Sequence, residues 1–90
     1  MSSFDITNYY EPLVVAAIKR YAATVSLQDQ DLLEDAACIA LNQLPARYIR
    51  HHVDASFFLS PAERSDMQSA VDHAVHKAFD ILKNTTELRL

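Results

Sequence analysis

Ninety residues, half of them apolar, suffice for one small domain with a real core, read here as a single unit over 1–90. A net charge of −4 weighs against a protein that grips long nucleic acid through its phosphates, and the complete lack of glycine excludes the Gly-rich phosphate cradles of P-loop and Rossmann sites. No apolar run is long enough to span a bilayer, the MSSFDITNYY start is not a secretory signal, and the lone Cys38 makes neither an internal disulfide nor a zinc framework; together these predict a cytoplasmic protein with no membrane association, metal or cofactor.

The first helix is predicted to begin near Asn8 or Glu11, with Pro12 tolerated in the first turn because its missing N–H has no helical partner there. Leu13, Val14, Ala17, Ile18, Tyr21 and Val25 follow helical spacing and mark a buried stripe. Lys19 and Arg20 are placed near the far end, where cations complement the helix dipole.

Ser26 reads as the cap of a second helix, with Asp29, Asp31, Glu34 and Asp35 crowding its first turns. Its apolar face is Leu32, Leu33, Ala36, Ala37, Ala40, Leu41 and Leu44, and Pro45 stops it. Cys38 lies within this alanine-rich stretch and is expected to be a packed, inert thiol.

From Pro45 to Leu59 no helical period holds. Arg47 to Val53 suits an extended run or short strand, and Asp54, Ala55 and Ser56 suit a turn. The third helix has the clearest start: Ser60-Pro61-Ala62-Glu63 combines an N-cap serine, a first-position proline and a glutamate three residues on. Met67, Ala70, Val71, Ala74, Ala78, Phe79 and Leu82 then repeat to about Lys83, with Asn84 to Leu90 expected to fray. The expected fold class is all-α: three main helices, an irregular or short-strand segment between the second and third, and a homodimer to cover the Phe57-Phe58-Leu59 trio.

Arg47, Tyr48, Arg50, His51, His52 and Asp54 form the densest polar cluster. Forked guanidinium donors match phosphate or a guanine edge, rings give a stacking face, and a carboxylate accepts from purine N–H groups. The plainer reading is a solvated loop whose arginines pair with the acidic start of the second helix, and spacing alone favours it. His73 and His76 share a helix face, but no HExxH or CxxC pattern supports a metal, so exposed helix histidines are expected. No nucleophile–base arrangement can be drawn, and the chain is expected not to be an enzyme.

The run Asp35 to Ile49, DAACIALNQLPARYI, resembles the signature of the late-competence ComFB family: a helix closing in A-L-N-x-L-P, then a basic residue, a tyrosine and an aliphatic, here Ala40, Leu41, Asn42, Leu44, Pro45, Arg47, Tyr48 and Ile49. Ala46 stands where a second proline is common, and the cysteine cluster that holds zinc in some relatives is not matched, so zinc is not carried over. The resemblance implies a small helical homodimer. Family members in cyanobacteria are receptors for cyclic dinucleotides, and others are linked to DNA uptake or motility. It reverses the preference at the central segment: the motif does not itself fix the ligand residues for cyclic di-GMP or cyclic di-AMP, and Arg47, Tyr48 and Arg50 are the first expected, followed by His51, His52 and Asp54. The bound state would pass to an unknown protein partner. The alternative is a ligand-free helical interaction adaptor.

Overall fold

The computed structural model describes residues 5–50 and 59–89, with side chains up to Asn84. Among these the order is β1 (Ile6–Asn8), α1 (Tyr10–Thr24), α2 (Gln30–Asn42), β2 (Tyr48–Arg50) and α3 (Pro61–Arg89). Three helices and a short strand between the second and third match the expectation. The N-terminal strand was not foreseen. β1 and β2 form a two-stranded antiparallel ribbon with Ile6 opposite Arg50, Thr7 opposite Ile49 and Asn8 opposite Tyr48.

Each helix contributes one apolar stripe to a single core. Val14, Val71 and Val75 are its largest fully buried side chains, and Tyr10, Ile18, Met67 and Phe79 surround them. The α3 stripe read from spacing is buried or half-buried throughout, and Val75, which the stripe omitted, joins it. On α1, Val25 is exposed rather than buried: the helix closes at Thr24, so Val25 falls past the last turn. For the same reason Lys19 and Arg20 lie before the final turn, which carries no basic residue; Arg20 instead meets Asp72 of α3 at 3.7 Å.

Only Ala36 and Ala40 of α2 are fully buried, so α2 faces its neighbours with methyl groups, flanked by half-buried Leu33, Leu41 and Leu44. Cys38 is exposed, which corrects the packed thiol. Two residues from Ala36 and two from Ala40, it sits about 200° around the helix from either, on the opposite face.

Ser26 is not the cap of α2. Asp29 is, accepting the Asp31 and Leu32 N–H groups on Oδ1 at 3.0 and 3.3 Å. Ser26 instead ends α1: its φ is +57°, and the Leu27 N–H reaches back to the Ala22 carbonyl at 3.0 Å. This is a left-handed helix stop of the kind glycine usually supplies. A side chain there costs about 1–2 kcal/mol, offset in part by the extra chain entropy that glycine loses on folding. Ser26→Gly is therefore expected to stabilise the protein by about 0.5–1 kcal/mol net, raising Tm by about 2–8 °C. Thermal unfolding followed by circular dichroism reads this; a Tm at or below that of the parent would contradict the left-handed assignment.

The start of α3 is as read. Glu63 N–H donates to Ser60 Oγ at 3.1 Å, and Ser60 N–H donates to Glu63 Oε1 at 3.2 Å. Its end is not. The helix runs on to Arg89 instead of fraying from Asn84, because no glycine or proline follows Lys83 to stop it.

Candidate functional site

α2 ends at Asn42, and the chain tightens: Gln43 and Leu44 N–H groups donate to the Ala40 and Leu41 carbonyls at 3.1 and 3.2 Å. Pro45 has no N–H to continue the ladder. The chain then crosses to the N-terminus of α1, and Arg47 is the residue held there. Its N–H donates to Asn8 Oδ1 at 2.9 Å, and its carbonyl accepts from Tyr9 N–H at 2.6 Å. Asn8 Oδ1 also accepts the Tyr10 N–H at 3.2 Å, doing for α1 what a capping side chain does. One amide oxygen thus ties the first turn of α1 to the start of the basic segment.

From this anchor β2 sets the directions of the next side chains. Tyr48 and Arg50 are two apart on a strand, so they fall on one face of the ribbon. Both are exposed, Tyr48 at 65%, and the Ile6 side chain opposite Arg50 is 58% exposed. Arg47 behaves differently. It is half-buried, and its guanidinium reaches the Glu63 carboxylate at the start of α3, Nη2 to Oε2 4.0 Å. The plainer sequence reading had the arginines pairing with the acids of α2; the ion pair that Arg47 makes is to α3, because the crossing carries the chain away from α2 toward the other two helix starts.

Among the described residues two open hollows flank the segment. One, of about 380 Å³, runs along the ribbon and is lined by Ile6, Arg47, Tyr48, Ile49 and Arg50. The other, of about 290 Å³, lies beside Arg47 and is lined by Tyr10, Pro45, Ala46, Glu63, Asp66 and Met67 as well. The structure therefore brings Arg47, Tyr48 and Arg50 to one hollow, with Tyr48 and Arg50 presented to solvent and Arg47 engaged. His51, His52 and Asp54 lie outside the described residues, as do Phe57 and Phe58. Chemically the described part offers two guanidinium forks and an exposed ring, a set suited to an anion that carries a flat aromatic group.

Two residues that matter to this geometry escaped the sequence reading. Asn8 was placed only as a possible helix start, although a short amide just ahead of a helix is a standing signal for a cap. Glu63 was read only as a cap partner; nothing local announces that its second oxygen faces Arg47. Elsewhere, His73 and His76 are exposed on α3. His76 meets the Tyr21 ring edge-on at 5.0 Å, and Tyr21 stacks on Phe79 at 4.5 Å. Among the described residues no group of three or more His, Cys, Asp or Glu converges as a metal site would require. None of their helices is long and apolar enough to cross a membrane.

Fold and site together define a small three-helix domain whose second helix feeds, through a proline stop, a basic-aromatic strand clipped to the N-terminus of the first. The model of the late competence development protein ComFB family matches residues 7–86, nearly the whole chain, and the protein belongs to that family. No curated protein and no solved structure is matched.

Proposed function

We propose that this protein is a non-enzymatic regulator that takes a cyclic dinucleotide, cyclic di-GMP or cyclic di-AMP, against the Arg47–Arg50 segment and passes the bound state to a protein partner in competence or motility control. Family membership supports the competence-related role. The observation that carries the ligand is the exposed face of β2, where Tyr48 is open for stacking and Arg50 stands beside it, next to a hollow. A cyclic dinucleotide brings two phosphates and two purines, and these side chains supply a donor and a ring for each kind. It is also two-fold symmetric. A homodimer in which each copy presents the same strand matches that symmetry. Signalling follows from differential affinity: the ligand favours one arrangement of the strand or the dimer, and the partner reads it.

Calorimetry on the purified protein tests the reading. Cyclic di-GMP or cyclic di-AMP is expected to bind at micromolar concentrations with one ligand per two chains. Arg50→Ala is expected to weaken binding by roughly tenfold, the worth of one charge-assisted contact. No heat with either ligand at high micromolar concentration sinks this version. The exposed apolar pair Ile6 and Tyr48 supports a second reading, an adaptor that binds a protein and no nucleotide. In that case Arg47→Ala and Arg50→Ala leave partner binding indifferent to nucleotide.

A further inference from the structure

We infer that Glu63 is a built-in competitor for the anion that Arg47 would bind, so that ligand capture and the start of α3 are coupled through one carboxylate. This rests on the reading of Arg47 as a phosphate-contacting group.

Glu63 uses its two oxygens for two jobs. Oε1 accepts the Ser60 N–H at 3.2 Å and so belongs to the cap of α3. Oε2 faces the Arg47 guanidinium at 4.0 Å. The cap holds the carboxylate in place whether or not Arg47 is there, because it is fixed by the backbone of its own helix start. On the other side the backbone of Arg47 is anchored by its bonds to Asn8 Oδ1 and Tyr9 N–H, which fixes where its side chain starts. The two charges are thus presented to each other by separate elements, with half of each side chain in solvent, 43% for Arg47 and 50% for Glu63. At 4.0 Å the pair is long and single-pronged, and among the described residues no carboxylate forks onto the Arg47 guanidinium. A phosphate that enters the hollow beside Arg47 offers a closer and forked match, and meets Glu63 as a rival of the same sign. Asp66 lines the same hollow, one turn further along α3, and no described ion pair joins it to Arg47.

The chemistry of the cap provides a clean test. Glutamine satisfies the third position of the capping box as glutamate does, so Glu63→Gln removes the charge and keeps the bond to the Ser60 N–H. Inorganic pyrophosphate serves as the probe, followed at the Arg47 Nε–Hε resonance by NMR in low-salt buffer, with wild type, Glu63→Gln and Asp66→Asn in parallel. Glu63→Gln is expected to bind pyrophosphate about two- to fivefold more tightly than wild type, the full worth of an exposed ion pair. The gain is expected to shrink in high salt. Asp66→Asn is expected to gain clearly less. A Glu63→Gln protein that binds no better than wild type overturns the inference. So does an equal gain in Asp66→Asn, which would mean that bulk charge and not the ion pair sets the affinity, and so does an Arg47 resonance that moves in none of the three. The outcome is separable from the nucleotide reading: pyrophosphate can show the expected order while cyclic dinucleotides give no heat, and cyclic dinucleotides can bind while Glu63→Gln changes nothing.

Discussion

Asn8→Ala is expected to lower stability by about 2 kcal/mol and to free the Tyr48–Arg50 strand from the first helix. The cause is the sharing of one oxygen. Asn8 Oδ1 takes the Tyr10 N–H at 3.2 Å and the Arg47 N–H at 2.9 Å, and both contacts are part-buried. Removing a capping side chain costs about 1 kcal/mol, and leaving a second, partly shielded donor without its acceptor costs about as much again. Since 1 kcal/mol moves Tm by about 4–8 °C in a domain of this size, Tm should fall by about 8–16 °C. The two-stranded ribbon is too short to stand by itself, so its hold on α1 matters more than its own ladder. Amide hydrogen exchange at Arg47 and Ile49 should therefore speed up by more than exchange in the middle of α3. Asn8→Asp keeps the acceptor and places a negative charge at the start of α1, where the dipole favours it; it is expected to match the parent. Protection at Arg47 that survives Asn8→Ala would show that the Tyr9–Arg47 bond and the ribbon suffice without the clip.

What could be read from the chain beforehand divides by the range of the interaction. The stripes of α1 and α3 and the reciprocal Ser60–Glu63 cap are local, within one or two helical turns, and the residues declare them. β1 is three residues long, and its existence depends on a partner more than forty positions away, as the pairing of Ile6 with Arg50 shows. No periodicity in Ile6-Thr7-Asn8 announces that. The resemblance drew attention to the segment after Pro45, and the sequence puts Arg47 and Arg50 there on an equal footing. The fold makes them unequal: strand alternation turns Arg50 to solvent, and the backbone anchor turns Arg47 toward Glu63. Ser26 misled for a different reason. Serine suits a cap and, in a chain with no glycine, also has to serve at the left-handed stop between α1 and α2, while Asp29 takes the cap.

Cys38 and Ala40 give the packing of α2 its sharpest test. If the alanine-rich stretch of α2 were buried all round, Cys38 and Ala40 would tolerate enlargement equally badly. The structure makes them opposites: Ala40 is fully buried and Cys38 is exposed on the same helix. Ala40→Leu adds three carbons where α2 meets the other helices through methyl groups, and the neighbours have no room to give without separating the helices. Overpacking of this kind costs about 1–3 kcal/mol, and leucine is nearly as good a helix former as alanine, so the loss reports packing and not propensity. Cys38→Leu should stay within about 0.5 kcal/mol of the parent. Urea unfolding distinguishes the two through the shift in midpoint at constant slope. The consequence reaches the candidate site. α2 delivers the chain to Pro45, and through it to Arg47, so a helix pushed outward at Ala40 strains the crossing that brings Arg47 to Asn8 and Glu63. Ala40→Leu is expected to speed exchange of the Arg47 amide as well as to destabilise the core, whereas Cys38→Leu leaves that amide protected. Equal midpoints for the two variants would mean that α2 does not seat through Ala40, and that the alanine face does not set the position of the basic strand.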